Sequence, residues 1–135
     1  MPFRVQGYDI DFARIVSNIV YVRWLEDLRL RFCDRHYPLE EMIAQDFVPV
    51  LSSTQIEYKR AIRFGDEVLG RIWFVEFQGP RWIFQCELLV NGELSATAIQ
   101  TGAFVRLTTS RPIKVPRDLA ERFQVGGSFT EPEST

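Results

Sequence analysis

Residues 8–21, YDIDFARIVSNIVY, place two carboxylates and a short apolar link directly before a helical pattern. The acids are Asp9 and Asp11, and the polar pair Ser17-Asn18 stands where a helix is expected to begin. Open amide groups at a helix N-terminus can bind a carbonyl oxygen while a nearby carboxylate attacks the carbonyl or activates water. The pattern therefore indicates a device for hydrolysis, around which the remaining chain must build a site.

The periodicity after this pair predicts one long helix from Asn18 to His36, with Ser17 or Asn18 as its N-cap. Pro38 ends the helix, and residues 39–45 can form a short second one. The apolar stripe of the long helix consists of Tyr21, Trp24, Leu25, Leu28 and Phe32.

The rest of the chain follows a period of two, which is typical of β-strands. Residues 3–8 form a short strand, and residues 9–17 form an irregular link. Asn91-Gly92 is the strongest hairpin signal, and the first long strand is expected to bend near Ser52-Ser53. This order predicts an α+β fold with an antiparallel sheet curled around one helix. The later strands are predicted at 48–62, 68–77, 81–90 and 94–107.

The length of 135 residues and the hydrophobic fraction of 46% fit one domain with a real core. We assign it residues 1–123, with one or two exposed helical turns at 117–123, and predict a disordered tail at 124–135. A net charge of -2 and scattered basic residues argue against nucleic acid as a partner. The sequence shows no signal peptide and no bilayer-spanning apolar run, so we expect a cytoplasmic protein without membrane partners.

Two blocks of the sequence resemble the hotdog-fold acyl-CoA thioesterases of the 4-hydroxybenzoyl-CoA thioesterase type, which include the YbgC-like enzymes. The second block is the segment 56–68, and the resemblance covers about residues 3–107. It implies the hotdog fold, with a sheet wrapped around the long helix. The first block consists of Asp9-Ile10-Asp11, Ile15-Val16, Ser17-Asn18 and Tyr21-Val22-Arg23-Trp24-Leu25-Glu26.

The resemblance implies hydrolysis of an acyl-CoA to a free acid and coenzyme A, without a metal or redox cofactor. Asp11 would be the nucleophile or the general base, and the Asn18 N–H would polarise the thioester carbonyl. Ser17, Tyr21 and Trp24 would contact the substrate. The family works as dimers or tetramers with sites at subunit interfaces, so a homodimer or homotetramer is expected.

Basic residues are candidates to meet the phosphates of coenzyme A, although an ordinary solvated strand edge explains them equally well. Arg81 is the better candidate, because it follows the Gly79-Pro80 turn where family members often carry basic residues. The other three candidates are Lys59, Arg60 and Arg63.

Two other hypotheses stay open at this point. Arg14 stands where the family usually has glycine, which motivates a non-catalytic acyl-CoA-binding protein as an alternative. A third possibility keeps the hydrolase but moves its substrate to acyl-carrier protein. Hotdog dehydratases rely on a histidine in the active segment, and none occurs between Tyr8 and Tyr21.

Other polar residues of the sequence have simpler explanations. Asp9 is expected to be a structural partner for backbone amides rather than a reactive group. His36 is the one histidine of the chain and fits a solvent-facing cap in the last helical turn. Cys33 is expected to pack at the helix edge, and with Cys86 it has neither a disulfide framework nor zinc-ligand spacing.

Overall fold

The computed structural model describes residues 1–11, 15–126 and 128–129, with side chains for 1–11 and 15–124. Its helices are α1 (Asn18–His36), α2 (Leu39–Ala44) and α3 (Arg117–Gly126). Its strands are β1 (Pro2–Arg4), β2 (Phe47–Tyr58), β3 (Glu67–Gln78), β4 (Arg81–Val90), β5 (Glu93–Arg106), β6 (Pro112–Ile113) and β7 (Ser128–Phe129).

All pairings in the sheet are antiparallel, and its main strand order is β1-β3-β4-β5-β2. The short strands β6 and β7 pair with β5 and β3, respectively. One face of the sheet buries alternate residues of β4 and β5, and α1 covers it with its apolar stripe. The predicted antiparallel sheet around one long helix is therefore confirmed.

Local sequence signals explain two irregularities of the sheet. Asn91 and Gly92 both have positive φ, 53° and 77°, as a tight turn between twisted strands requires, and they join β4 to β5. The register of β2 against β5 shifts between Leu51 and Ser53, where the sequence predicted a bend. Beyond Tyr58 the chain leaves the ladder, because the N–H groups of Lys59 and Arg60 both donate to the Ser95 carbonyl.

The two ends of the chain differ from the prediction. The first strand ends at Arg4, and Gly7–Asp9 forms a 3₁₀ turn. The C-terminal helix was expected to be exposed, but Leu119 and Phe123 are 0% and 1% exposed. Phe123 closes an aromatic cluster, and its burial there anchors the helix to the core. The other rings of that cluster are Phe32, Phe74, Phe77, Phe84 and Phe104.

The chain beyond residue 123 also departs from the prediction of a tail. Helix α3 continues to Gly126, and Ser128–Phe129 pairs with β3 at Ile72 and Trp73. Residues 127 and 130–135 lie outside the described part, so the prediction of disorder there stays a prediction. None of the described helices is both long and apolar enough to cross a bilayer.

Candidate active site

Asp9 anchors the loop that leads into α1. Its side chain is 0% exposed; one carboxylate oxygen accepts from the Gln6 N–H at 2.9 Å and the other from the Arg23 guanidinium at 3.0 Å. The Asp9 carbonyl accepts from the Ser17 N–H at 2.9 Å. The carboxylate thus ties the turn before it to the first turns of α1, in the structural role that the sequence predicted for it.

Asp11, two residues further on, lies on the surface. Its N–H donates to the Ile15 carbonyl at 2.9 Å, and Ile10 pairs with Val16 in an antiparallel bridge. These contacts join the two sides of the loop, and residues 12–14 between them lie outside the described part of the chain. Arg14, the residue that motivated the non-catalytic alternative, lies outside the described residues. The loop presents one carboxylate to the outside and buries the other.

A second set of contacts fixes this loop against the segment between β2 and β3. The Val16 N–H donates to the Ile62 carbonyl at 2.7 Å, and Ile15 pairs with Arg63. Val16 and Ile62 are buried, so this junction also belongs to the core. The two sequence blocks are therefore adjacent in space, although more than forty residues separate Val16 from Ile62 along the chain.

The N-terminus of α1 lies beside this loop. Ser17 has the extended backbone of an N-cap, and its carbonyl accepts from the Val20 N–H at 3.0 Å, but its side chain makes no capping hydrogen bond. Helix geometry leaves the amides of the first turn, including that of Asn18, without intrahelical acceptors and places partial positive charge there. The predicted cap at Ser17 is therefore a backbone cap.

A cleft of about 250 Å³ opens at this helix end. It brings together four of the residues that the sequence selected, namely Asn18, Tyr21, Lys59 and Arg60. Asp11 does not line the cleft. Its N–H is hydrogen bonded to the carbonyl of Ile15, and Ile15 does line the cleft. The complete lining is Ile15, Val16, Asn18, Tyr21, Tyr58, Lys59, Arg60 and Ala61.

Two tyrosines form one wall of the cleft. Tyr21 is buried and meets Tyr58 edge to face, with 4.9 Å between ring centroids. Burial raises the pKa of Tyr21, while a hydrogen bond with the backbone of Ile62 acts in the opposite direction. The phenol is therefore protonated at neutral pH and can serve as a donor. Tyr58 was not among the predicted site residues, although it lies in the second block, directly before the basic pair.

Lys59 and Arg60 form the exposed rim of the cleft. The Lys59 ammonium lies 2.9 Å from a Glu57 carboxylate oxygen, and Arg60 forms an ion pair with Glu93. Surface pairs of this kind contribute little to stability, so the two cations can exchange their partners for another anion. The rim therefore offers positive charge where a phosphate group could approach.

Two predicted site residues lie elsewhere in the same chain. Trp24 is in the core and stacks on Phe3, with 5.2 Å between ring centroids, so Tyr21 separates it from the cleft. Arg81 pairs with Ala103 of β5, whereas Tyr58 at the cleft pairs with Ala96. Seven residues of strand correspond to about 23 Å. Neither Trp24 nor Arg81 lines this cleft within one chain, and the substrate contacts predicted for them stay predictions.

The remaining titratable candidates are structural. His36 is half-buried and packs against Phe32, and burial followed by the charge of Arg35 lowers its pKa. Burial raises the pKa of both Cys33 and Cys86 to about 12, so neither is a thiolate nucleophile. Within the described ranges, no three His, Cys, Asp or Glu side chains are arranged to hold a metal ion.

Comparison with known proteins gives consistent results. The profile of the thioesterase-like superfamily matches residues 5–123. No curated protein matches the chain in sequence. A thioesterase from Thermus thermophilus, solved with coenzyme A and zinc, is similar with a TM-score of 0.82 and 25% identity over 93% of this chain and 91% of that chain.

Two further solved structures share the fold. The DHNA-CoA thioesterase from Staphylococcus aureus has a TM-score of 0.84 and 19% identity over 93% of this chain and 87% of its own. YbaW, a probable thioesterase from Escherichia coli, has a TM-score of 0.83 and 22% identity over 90% of this chain and 93% of its own. The sheet around α1 is the hotdog fold, as predicted.

Proposed function

We infer that the chain, which belongs to the thioesterase-like superfamily, is a thioester hydrolase that converts an acyl-CoA and water to a carboxylic acid and coenzyme A. One observation carries this function beyond family membership. Asp9 holds the Asp11 loop and the N-terminus of α1 in one frame, beside a cleft with a cationic rim. The Asp11 carboxylate next to the cleft, the helix amides at its wall and the positive charge on its rim are groups that thioester hydrolysis can use.

We propose that the helix end stabilises the oxyanion. The carbonyl oxygen of the thioester gains negative charge during attack, and the N–H of Asn18 at the positive end of α1 can donate to it. A preorganised donor of this kind contributes about 3 kcal/mol to the transition state. The side chain of Asn18 has no part in this role. Substituting Asn18 therefore changes the side chain but keeps the backbone N–H that donates to the oxyanion.

Asp11 supplies the attack on the thioester in the same proposal. Its carboxylate either removes a proton from water or attacks the carbonyl carbon itself, forming an anhydride that water then opens. In both routes the carbon–sulfur bond breaks, the thiolate of coenzyme A leaves and takes up a proton, and water supplies the new carboxylate oxygen. Neither route uses a metal or redox cofactor, which is our prediction for this enzyme.

The rim of the cleft favours coenzyme A as the carrier. Phosphate groups can replace the Glu57 and Glu93 carboxylates on Lys59 and Arg60, since both cations are exposed. An acyl-carrier protein presents the thioester on a protein surface instead, which makes it the second candidate. Replacing Lys59 with methionine should raise KM for acyl-CoA more than for the acyl-carrier thioester.

We propose that the enzyme is a homodimer or homotetramer. The strand β2 is twelve residues long, and none of the described strands pairs with its outer edge. Long open edges are normally covered in native proteins. Ile19, Val22 and Phe64 are also exposed, close in sequence to the cleft residues. Light scattering coupled to size exclusion tests this proposal, and a monomer at micromolar concentration contradicts it.

The central test compares the wild-type enzyme with Asp11→Asn on a panel of acyl-CoA thioesters. We expect hydrolysis by the wild type and a loss of kcat/KM of about 10²–10⁴-fold in the variant. Binding without turnover in the wild type would favour the non-catalytic alternative. Equal rates for both proteins would remove Asp11 from the mechanism. A cytoplasmic location, without nucleic acid or membrane partners, remains part of the proposal.

A further inference from the structure

The cleft has a charged rim and an apolar inner part. Lys59 and Arg60 form the rim, where the proposed function places the phosphates of coenzyme A. An acyl group whose carbonyl lies at the Asn18 N–H can therefore leave water only by contacting the inner part. Apart from Asn18, the residues that line the inner part are Ile15, Val16, Tyr21, Tyr58 and Ala61.

The ring of Tyr21 closes the inner part of the cleft. Tyr21 follows Asn18 by three residues on α1, or about 4.5 Å along the axis, and helical side chains lean toward the N-terminus. The ring is buried between the Tyr58 ring, edge-on at 4.9 Å, and the Trp24 ring at 6.0 Å, both measured between centroids. A hydrogen bond joins its hydroxyl to the backbone of Ile62. The ring is thus held on three sides.

Behind the Tyr21 ring the chain is closely packed. The space between α1 and the sheet at this point is too narrow to admit a water molecule, and its walls include Leu25, Ile56, Cys86 and Ala98. Extra methylene groups enter such a core only by straining it. Within the described residues, an acyl chain therefore finds no continuation of the cleft beyond Tyr21.

We propose that the Tyr21 ring sets the upper length of the acyl group, so that the enzyme acts on short-chain acyl-CoA thioesters. This inference rests on the proposed function. The first carbons of the acyl chain lie against Tyr21, Tyr58 and Ala61, and the spacing of about 4.5 Å between Asn18 and Tyr21 corresponds to about four extended carbon atoms. Later carbons have no apolar surface left to contact and stay in water.

The test measures kcat/KM of the wild type for straight-chain acyl-CoA thioesters from acetyl to decanoyl, with benzoyl-CoA as an aromatic member of the panel. Each methylene group that leaves water should raise kcat/KM by about two- to fourfold. We expect this rise to stop at about four to six carbons. The ratio of kcat/KM for octanoyl-CoA to that for butyryl-CoA should then be close to one.

Tyr21→Ala removes the ring and should extend the rise by several carbons, because the longer chain can fill the space that the ring leaves. The octanoyl-to-butyryl ratio should increase by about tenfold or more. A general loss of activity does not change this ratio. Tyr21→Phe keeps the ring and should keep the ratio of the wild type.

Ala61→Leu tests the inference from the opposite direction, and it decides the question if Tyr21→Ala does not fold. Ala61 is exposed on the cleft wall, so a larger side chain fits without entering the core. It should narrow the inner part and lower the ratio of kcat/KM for butyryl-CoA to that for acetyl-CoA by about tenfold.

Tyr37→Ala is the matched control. Tyr37 is also a buried tyrosine, at the other end of α1, and its ring meets Phe47 with 5.7 Å between centroids. Phe47 and Tyr58 are the two ends of β2, so about 36 Å of strand separates this tyrosine from the cleft. Its replacement should lower stability and leave both ratios unchanged.

The outcomes separate the inference from the proposed function. Four results would overturn the inference while leaving a thioesterase: a wild-type kcat/KM that rises through decanoyl-CoA, hydrolysis of benzoyl-CoA alone, a folded Tyr21→Ala or Ala61→Leu with wild-type ratios, or a Tyr37→Ala with altered ratios. A ratio in Tyr21→Phe as high as in Tyr21→Ala would also overturn it, since the hydroxyl and not the ring would then set the limit. Failure to hydrolyse any member of the panel would instead overturn the proposed function.

Discussion

The two carboxylates of the first loop should separate stability from catalysis when each becomes an amide. Asp9→Asn and Asp11→Asn change the same functional group at positions two residues apart. The first is buried and bonded to Gln6 and Arg23, while the second lies on the surface. We expect Asp9→Asn to lower stability and Asp11→Asn to lower activity.

The magnitude for Asp9 follows from its two contacts. In Asp9→Asn the amide oxygen still accepts from the Gln6 N–H, so the loss falls on the contact with Arg23. A hydrogen bond to a charged group is worth about 1.5–3 kcal/mol. Because Arg23 is 46% exposed, we discount this to a loss of about 1–2 kcal/mol. For a domain of this size, the melting temperature should fall by about 3–6 °C.

The expectation for Asp11 is the reverse. A surface substitution should change the free energy of unfolding by less than about 1 kcal/mol. Loss of a general base or nucleophile should lower kcat/KM by about 10²–10⁴-fold. Asp9→Asn should reduce kcat/KM much less, because the Ser17 N–H still donates to the backbone carbonyl of residue 9.

Thermal unfolding followed by circular dichroism and steady-state hydrolysis of one acyl-CoA measure both quantities on the same preparations. Two results would refute the reasoning. One is a full loss of activity in a folded Asp9→Asn beside an active Asp11→Asn, which would exchange their roles. The other is an equal fall in melting temperature for both variants, which would mean that the Asp11 side chain also anchors the loop.

Three further predictions concern the core. Gly102→Ala should destabilise the fold by about 1–3 kcal/mol, since its new Cβ would overlap the Trp82 ring and a backbone carbonyl of β2. Urea unfolding measures this loss of stability. Gly7→Ala is the control, because a Cβ at Gly7 meets open space. The thiols of Cys33 and Cys86 should resist alkylation in the folded protein at pH 8 and react once it unfolds. Since their folded pKa of about 12 exceeds the ordinary 9.0, stability should decline as pH rises from about 9 to about 12.

Local signals explain why much of the fold could be predicted. The polar pair Ser17-Asn18 and the proline at 38 define both ends of α1, and the structure begins and ends that helix at the predicted residues. The turns at Gly79-Pro80 and Asn91-Gly92 likewise define the ends of β4, and the structure places that strand at the predicted residues 81–90. In each case the decisive residue lies within one or two positions of the boundary it sets.

Long-range packing explains what could not be predicted. Nothing local distinguishes the burial of Phe123 from exposure, because the rings that cover it come from α1 and three strands. The contact between Arg29 and Gln100 joins residues 71 positions apart. The helical stripe likewise groups Trp24 with Tyr21, but only the packing of Phe3 shows that Trp24 lies behind the cleft wall.

The geometry of the cleft links the proposed oligomer to the proposed chemistry. Asp11, Asn18 and Tyr58 are all exposed in the single chain, so water would surround the reacting groups. A helix dipole and a hydrogen-bond donor stabilise an oxyanion far better where bulk water is excluded. The same chain leaves the β2 edge and several apolar side chains open beside this region. A second copy that covers them would also exclude water from the cleft. In such an assembly the Arg81 of one copy, which is distant from its own cleft, could reach the cleft of the other copy.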